Sequence, residues 1–286
     1  MTTRLLLAAA CLLLVSLAAG SASHAPPSRP RARWAAGYQV LAADFHLHSF
    51  PLSWATLSPF ETVLEARRQG LDAIAMTGHN HVWVSQWGRW FSGRIGGPTV
   101  LRSEEIHAPA YHMVALGIGH TVSWRQIAAS AIDEIHRQGG IAIAAHPVAE
   151  YWPGWDAEAI GRLDAAEVVH PIVFGDPRAR LELRRFFARR RLTAIGSSDS
   201  HGMGPIGLAR TYVFVTDNTE RGILEALRQG RTVVYDRDGQ AFGDPDLIRL
   251  GAVPKLEAPP ADLWTRVSLV TGVLGLLIGA AGFRAA

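Results

Sequence analysis

The chain has 286 residues, a formal net charge of +3 and 48% apolar residues, enough to build one sizeable hydrophobic core. Its single cysteine, Cys11, lies in the N-terminal apolar segment, so disulfides, cysteine catalysis and zinc–thiolate sites are excluded from the globular part. The small excess of basic residues does not require nucleic acid as a partner.

Residues 1–25 have the features of an export signal. Arg4 supplies the positive start, an apolar run follows, and small residues beginning at Gly20 offer a cleavage site. The alternative is an N-terminal anchor that is not removed. Residues 26–37 carry several prolines and arginines without apolar periodicity, which predicts a linker.

Residues 38–250 are predicted to form one α/β domain in which short β-rich runs alternate with helical stretches. The predicted strands are 40–45, 72–76, 98–102, 112–117, 141–145, 165–169, 193–196 and 211–215, and the predicted helices are 59–69, 124–138, 178–190 and 219–229. This alternation predicts a mostly parallel sheet or barrel. Functional residues in such folds gather at the carboxyl ends of the strands.

The C-terminal residues 264–284 are predicted to form a transmembrane helix. They are apolar from Val267 to Phe283, and Arg266 and Arg284 flank the run. Residues 251–263 contain prolines and are predicted to be a linker that separates this segment from the domain, whereas the alternative is a buried terminal helix. With the export signal, this predicts an extracytoplasmic domain anchored to the membrane by its C-terminal helix.

Histidines and acids recur where the predicted strands end. His46 and His48 are two residues apart on the first strand, so their side chains point to the same face and can hold one divalent metal ion. The other residues of this kind are His79, His81, Glu104, Glu105, His112, His146, His170, Asp199 and His201. Imidazole and carboxylate ligands suit Zn, Mn or Fe, and their number exceeds the needs of one ion. The sequence therefore predicts a cluster of two or three divalent ions.

Several of these motifs, in this order, resemble those of the PHP (polymerase and histidinol phosphatase) domain family. The motifs are Asp44-x-His46-x-His48-Ser49, Thr77-Gly78-His79-Asn80, Glu105, Ala145-His146-Pro147 and Gly196-Ser197-Ser198-Asp199-Ser200-His201. The resemblance covers residues 38–242. It implies a distorted, TIM-like β/α barrel whose rim holds two or three metal ions for phosphoester hydrolysis.

The resemblance also implies which residues hold the metal ions: His46, His48, His79, Glu105, His112, His146, Asp199 and His201. Glu104 is adjacent to Glu105 and faces the other way on a strand, so we expect it to be solvated or salt-bridged. A hydroxide that bridges two ions would attack phosphorus in line. His81 and His170 are candidates for protonating the leaving group or for contacting the substrate, or are hydrogen-bonded rim residues.

Two departures from the family pattern bear on the metal site. Gly78 stands where the family's second motif commonly has Asp, which would remove a carboxylate that orients a ligand, unless Asp72, Asn80 or His81 compensates. The residues 50–54, directly after the first motif, contain neither the Asp nor the His that usually holds a further ion. These departures place the third metal site in question.

The substrate predicted for the enzyme is a small-molecule phosphoester or ester. One alternative is a carbamate or aryl ester hydrolase, for which the aromatic residues of 83–91 would suit a flat substrate, although a packing face is the simpler interpretation. Another alternative is a non-catalytic metal-binding module. The arginines of 178–191 indicate a solvated helix face first, contact with anionic lipid second and nucleic acid last.

Overall fold

The computed structural model describes residues 2–22, 33–51, 53–171, 176–202, 206–250 and 263–284. Its strands are β1 (Arg33–Ala35), β2 (Tyr38–Leu47), β3 (Ala73–Met76), β4 (Thr99–Leu101), β5 (Ser103–Ala108), β6 (Tyr111–Leu116), β7 (Ile141–Ala144), β8 (Ala165–Val169), β9 (Thr193–Gly196), β10 (Thr211–Val215), β11 (Thr232–Tyr235) and β12 (Ala241–Gly243). Its helices are α1 (Thr2–Ala22), α2 (Pro59–Arg68), α3 (Trp83–Ile95), α4 (Ala128–Arg137), α5 (Ala157–Arg162), α6 (Pro177–Phe187), α7 (Glu220–Arg228), α8 (Pro245–Arg249) and α9 (Leu263–Arg284), with a 3-10 helix at Ala149–Gly154.

The strands form two mixed sheets. The first has the order β12-β11-β10-β2-β3-β4, with β1 paired to the start of β2, and the second has the order β5-β6-β7-β8-β9. Pairing is parallel along β2-β3-β4 and β7-β8-β9 and antiparallel elsewhere. Within the described ranges the ladders do not close into one cylinder. The α/β class is therefore confirmed, whereas the predicted TIM-like barrel is not.

The two sheets share one apolar core. Leu41 and Phe45 from the first sheet pack in the same cluster as Val114 and Ile143 from the second, and each is at most 1% exposed. Isolated parallel bridges also join the sheets, one between Leu47 and Ser200 and one between His79, which follows β3, and Glu105 on β5. Burial of this surface drives the sheets together and brings the loops after their strands to one place.

The helix boundaries follow from local signals that the sequence carries. At the start of α2 the Oγ of Ser58 accepts a hydrogen bond from the Glu61 amide (3.3 Å), and Glu61 Oε2 accepts one from the Ser58 amide (2.8 Å). Pro59 occupies the first helical position, and the chain leaves the helix at Gly70, with φ 69°. The predicted helix over 59–69 is thereby confirmed.

Strand β5 is not among the predicted strands, and the structure shows why the apolar pattern missed it. Its residues Glu104 and Glu105 interrupt the pattern, yet both side chains are buried. Helix α4 begins at Ala128 rather than at 124. The Gln126 carbonyl accepts a hydrogen bond from the Tyr111 hydroxyl (2.9 Å), which holds the preceding turn outside the helix.

The terminal helices α1 and α9 pack against each other in antiparallel fashion. Glycines on α9 allow the close approach, since a Cβ at Gly275 would lie 3.0 Å from Leu13 and one at Gly272 would lie 2.9 Å from Ser16. Ser16 Oγ donates to the carbonyl of Ser268 (2.7 Å). The stretches Thr3–Gly20 and Arg266–Phe283 are long and apolar enough to cross a membrane by length and composition.

The predicted linkers fall largely outside the described residues. Residues 26–32 of the first linker, residues 251–262 of the second and residues 23–25 of the predicted export signal are not described. The remaining part of the first linker is not a linker, because Arg33–Ala35 pairs with β2 and Arg33 forms an ion pair with Asp72 (3.1 Å).

Candidate metal centre

The site begins at the end of β2, where His46 and His48 point to the same side. Both side chains are buried, and their Nε2 atoms lie 3.1 Å apart. The other ring nitrogen of each histidine has its own partner. Nδ1 of His46 lies 2.9 Å from Glu167 Oε1, and Nδ1 of His48 lies 3.0 Å from Ser53 Oγ. These contacts fix the orientation in which both Nε2 atoms face the centre.

The acid of the first motif, Asp44, has a structural role. Its fully buried carboxylate accepts hydrogen bonds from the Ser198 hydroxyl (2.6 Å) and from the amides of Ser198 (3.1 Å), Gly207 (2.8 Å) and His46 (3.3 Å). Burial is the largest influence on its pKa and raises it to about 6. Asp44 therefore ties the end of β2 to the loop after β9, which carries Asp199.

Glu105 on β5 is surrounded by histidines from both sheets. Its Oε1 lies 3.1 Å from His112 Nδ1 and 3.5 Å from His146 Nε2. Its Oε2 lies 3.1 Å from Nε2 of His79, 3.5 Å from that of His48 and 3.6 Å from that of His46. The two carboxylate oxygens thus face different sets of imidazoles, so Glu105 would be able to hold a cation with each set.

Asp199, in the loop after β9, is the second carboxylate of this kind. Its Oδ1 lies 2.9 Å from His48 Nε2 and 3.4 Å from His46 Nε2, and its Oδ2 lies 3.4 Å from His170 Nε2 and 3.9 Å from His146 Nε2. His201 Nδ1 lies 3.8 Å from Asp199 Oδ1, and its ring stacks on His48 at 4.1 Å. All eight ligands implied by the resemblance are therefore in one place.

Backbone strain marks the same loops. His146 has φ 27° and Asp199 has φ 47°, a conformation that side chains other than glycine rarely adopt. Each lies directly after a buried strand, and its side chain turns into the cluster. The surrounding structure holds both residues in a costly conformation, as is common where a fold positions functional groups.

The charges of the cluster explain its pKa shifts. Burial alone would lower the pKa of His46, but Asp199, Glu167 and Glu105 outweigh burial and raise it well above 6.5. His48 has the opposite shift, because burial lowers its pKa to about 4. Burial would raise the pKa of each of the three carboxylates, but the charge on His46 and the neighbouring histidines outweigh it and lower all three. The carboxylates thus require nearby positive charge.

The donor set fits divalent cations. Several groups of three side chains place one ligand atom each within 4.8 Å of one another, among them His46, His48 and Glu105, and His46, His146 and Asp199. Glu105 Oε1 and His112 Nδ1 are buried and lie 3.1 Å apart without the alignment of a hydrogen bond, and neither has another hydrogen-bond partner among the described residues. Metal coordination would satisfy both.

Sequence reasoning missed three members of the site: Glu167, His107 and Ser53. Glu167 lies on β8 in an apolar run, where a carboxylate is costly unless it is paired, and that isolation was the available signal. Its Oε2 accepts a hydrogen bond from the His146 amide (2.6 Å), and the Ser197 hydroxyl donates to Oε1. The ring of the half-exposed His107 packs at a tilt against those of His79 and His112, at centroid distances of 4.5 and 3.9 Å.

Glu104 is not the solvated or salt-bridged residue that was predicted. It faces away from the metal cluster, as the strand geometry requires, but it is fully buried. Its Oε1 accepts a hydrogen bond from the Val122 amide (2.6 Å), and burial raises its pKa to about 7. Glu104 therefore anchors the segment after β6 instead of contacting solvent.

The structure also shows what surrounds Gly78. A Cβ at this position would lie 3.1 Å from Val84 and 3.2 Å from the His81 carbonyl, so a larger residue would need its neighbours to move. Asp72 does not compensate for the missing carboxylate, since its Oδ2 binds Arg33 and the Ala42 amide on another side of the domain. Asn80 instead fixes His107 through two hydrogen bonds to its backbone.

The two histidines predicted to act as acids have different environments. His170 is 2% exposed and belongs to the cluster through Asp199. His81 is exposed, and within the described ranges its side chain has no hydrogen bond, ion pair or ring contact.

The aromatic residues of 83–91 lie on helix α3, and only two of the four pack as the simpler interpretation expected. Trp83 and Phe91 pack against the core, whereas Trp87 and Trp90 are half exposed. In the arginine-rich helix α6, Arg180 and Arg184 form ion pairs with Asp238 (2.5 Å) and Asp236 (2.6 Å). These two arginines are thus paired with acids of the same domain.

Comparisons with known proteins point in the same direction as the motifs. Residues 177–232 match PHP_C, a family described as PHP-associated, and the sequence matches no curated protein. A two-domain protein from Bacteroides vulgatus, containing a predicted PHP-like metal-dependent phosphoesterase, superposes with a TM-score of 0.62 and 25% identity over 78% of this chain and 73% of that one. A candidate metal-dependent phosphoesterase from Bifidobacterium adolescentis is more distant, with a TM-score of 0.49 and 19% identity over 64% of this chain and 96% of that one.

Proposed function

This chain is a PHP-domain protein, and on that premise we propose that it is a metal-dependent hydrolase that cleaves phosphoesters. The observation that carries the proposal is the convergence of eight imidazoles on three carboxylates, of which those of Glu105 and Glu167 are buried. The imidazoles belong to His46, His48, His79, His107, His112, His146, His170 and His201, and the carboxylates to Glu105, Glu167 and Asp199.

This donor set would hold two or three divalent cations, and Zn, Mn and Fe suit imidazole and carboxylate donors. Such cations would lower the pKa of a coordinated water from 15.7 towards about 7 and neutralise charge on the phosphoryl oxygens. In the net reaction a water oxygen bonds to phosphorus, the bond from phosphorus to the alcohol oxygen breaks, and that oxygen takes up a proton.

Different residues of the cluster would have different roles in this reaction. Glu105 and Asp199 each present two oxygens to different imidazoles, so they are placed to hold neighbouring cations at a fixed separation. Glu167 does not face the open side of the site. It orients His46 through Nδ1 and fixes the backbone of His146, so it acts as a positioning residue.

The proton for the leaving group must come from the open side of the cluster. His107 is half exposed there and packs against two candidate metal ligands, whereas His170 is buried against Asp199. We therefore assign the proton donor to His107 and a metal-holding role to His170. His81, the other sequence-based candidate, lies exposed beyond the cluster.

Leaving-group dependence separates these candidates. A poor leaving group needs the proton more than a good one, so His107→Asn should slow an alkyl phosphate about 100-fold or more and an activated aryl phosphate much less. His170→Asn should slow both alike and lower metal content, and His81→Asn should change neither. If His81→Asn, and not His107→Asn, slowed the alkyl phosphate more than the aryl phosphate, His81 would be the proton donor instead.

The proposed reaction class is tested with the full chain in detergent, purified without chelator and assayed on a generic aryl phosphate with added Mn²⁺. Chelator-sensitive turnover of the phosphate is expected. Turnover of aryl esters or carbamates without turnover of phosphates would contradict the phosphoesterase and favour the ester hydrolase. No turnover of any of them, with a normal fold, would favour a non-catalytic metal-binding module.

We also propose that both terminal helices anchor the domain to a membrane. The packing of α1 on α9 favours retention of the N-terminal segment over its removal as a signal. Ser268 Oγ donates to Glu61 Oε1 (3.0 Å), and Glu61 caps helix α2, so the helix pair is tied to the domain.

A further inference from the structure

An apolar groove of about 840 Å³ lies between the two terminal helices and the loop that follows β2. Leu6 and Leu13 of α1, Leu277 and Phe283 of α9, and Phe50 and Trp54 of the loop form much of its lining. Trp54 is 93% exposed, a costly placement for an indole in water. The volume lies within the range of sites that bind small molecules.

The same loop contacts the metal centre at two points. Ser53, which also lines the groove, places its Oγ 3.0 Å from Nδ1 of His48. Thr56 donates its amide hydrogen to the His201 carbonyl (2.9 Å). A molecule lying along the loop could therefore have one end in the groove and the other at the cluster.

The helices that form the other walls indicate what the groove would hold. Both are long and apolar enough to span a bilayer, and the side chains lining the groove are almost all apolar. If the helices lie in a membrane, the groove opens to acyl chains, and exposed Phe50 and Trp54 are then in an environment that suits them. A water-soluble substrate would gain nothing from these walls.

On the premise of the proposed phosphoesterase function, we infer that the substrate is a membrane lipid with a phosphomonoester head group. Its alkyl chain lies in the groove between α1, α9 and the loop residues Phe50 and Trp54, and its phosphate reaches the cluster beside His48 and His201. The loop thus acts as a specificity determinant, because it joins the chain-binding surface to the metal ligands.

Filling the groove tests this inference without touching the metal centre. Ala280 on α9 lines the groove and is exposed, whereas the adjacent Ala281 is equally exposed and does not line it. Ala280→Trp would place an indole in the path of the chain, and Ala281→Trp is its matched control. Ala10→Trp fills the groove from the α1 wall, so the test does not depend on one variant.

The experiment compares hexadecyl phosphate in mixed detergent micelles with water-soluble butyl phosphate and an aryl phosphate, using the full chain loaded with Mn²⁺. Hexadecyl phosphate should have the highest kcat/KM. Ala280→Trp and Ala10→Trp should each lower that value tenfold or more and leave aryl phosphate turnover within twofold, and Ala281→Trp should change neither. A second readout does not depend on turnover. Vesicles of phosphatidylcholine with brominated acyl chains should quench the fluorescence of Trp54, which is obtained as the difference in quenching between the parent chain and Trp54→Phe.

Each outcome decides one question. Equal rates on hexadecyl and butyl phosphate, or equal effects of Ala280→Trp and Ala281→Trp on hexadecyl phosphate, would overturn the lipid inference while leaving the phosphoesterase intact. No Trp54 quenching would mean that the groove does not meet acyl chains and would also overturn it. If none of the three phosphates is hydrolysed by the metal-loaded protein, the proposed function fails and the lipid inference fails with it.

Discussion

Replacing Glu167 with glutamine would test whether a buried carboxylate behind His46 keeps the metal centre in order. The carboxylate accepts from the Ser197 hydroxyl and the His146 amide (2.6 Å), and it lies 2.9 Å from His46 Nδ1. Glutamine has nearly the same shape, but its NH₂ group cannot accept. One buried donor would therefore lose its partner.

The size of the effect follows from these contacts. Loss of a group that orients a metal ligand typically lowers metal affinity 10- to 100-fold, or about 1.4–2.8 kcal/mol. An unsatisfied buried donor should also lower the free energy of unfolding of the metal-free protein by about 1–3 kcal/mol. Competition with a colorimetric chelator measures the affinity, and denaturant unfolding of the metal-free chain measures the stability.

The matched control is Glu104→Gln, another buried carboxyl on a strand that faces away from the cluster. Burial raises the pKa of Glu104 to about 7, so about half of it is already neutral at neutral pH, and glutamine can still accept from the Val122 amide. Metal affinity should then stay within twofold of the parent. Equal losses in the two variants, or a Glu167→Gln variant with parental affinity, would refute the positioning role of Glu167.

Three further predictions follow from the site. Ser53→Ala should weaken metal binding about tenfold, because His48 Nδ1 loses its partner at 3.0 Å, and chelator competition measures this. Asp44→Asn should lower the free energy of unfolding by about 2–3 kcal/mol in a denaturant titration, since four donors face this carboxylate and an amide NH₂ cannot accept. In the metal-free protein the pKa of His46 is raised, so the proton on His46 stabilises the folded state fully below pH 6.5. This stabilisation is lost as the pH rises through the raised pKa. Metal must displace that proton, so affinity should rise with pH until the raised pKa of His46 is passed and then level off, with proton release visible by calorimetry in buffers of different ionisation enthalpy.

Much of this site could be predicted from the sequence because the signals are local. His-x-His on a strand fixes two imidazoles on one face by geometry alone, and helix α2 begins where Ser58, Pro59 and Glu61 predict. The residues that follow buried strands converge because their strands share a core. The family resemblance, rather than the strand pattern, implied which eight residues would be metal ligands, and the structure brings those eight together.

The missed features depend on contacts between distant segments. Glu167 stabilises His46 across 121 positions of the chain, and nothing in the run of β8 indicates that partner. The buried carboxyl of Glu104 accepts a hydrogen bond from the Val122 amide, and Val122 lies in a loop that has no strand or helix signal. The closure of the sheets is likewise a tertiary property, since alternating strands and helices are compatible both with a barrel and with two mixed sheets.

The central claim is that the cluster around Glu105 and Asp199 holds more than one metal ion. The most direct test is the metal content per chain of the full-length protein purified in detergent without chelator, measured by elemental mass spectrometry together with protein concentration. Two or more divalent ions per chain are expected, with removal by chelator abolishing turnover of an aryl phosphate. One ion or none in a correctly folded chain, even after incubation with Mn²⁺ or Zn²⁺, would contradict the multinuclear centre.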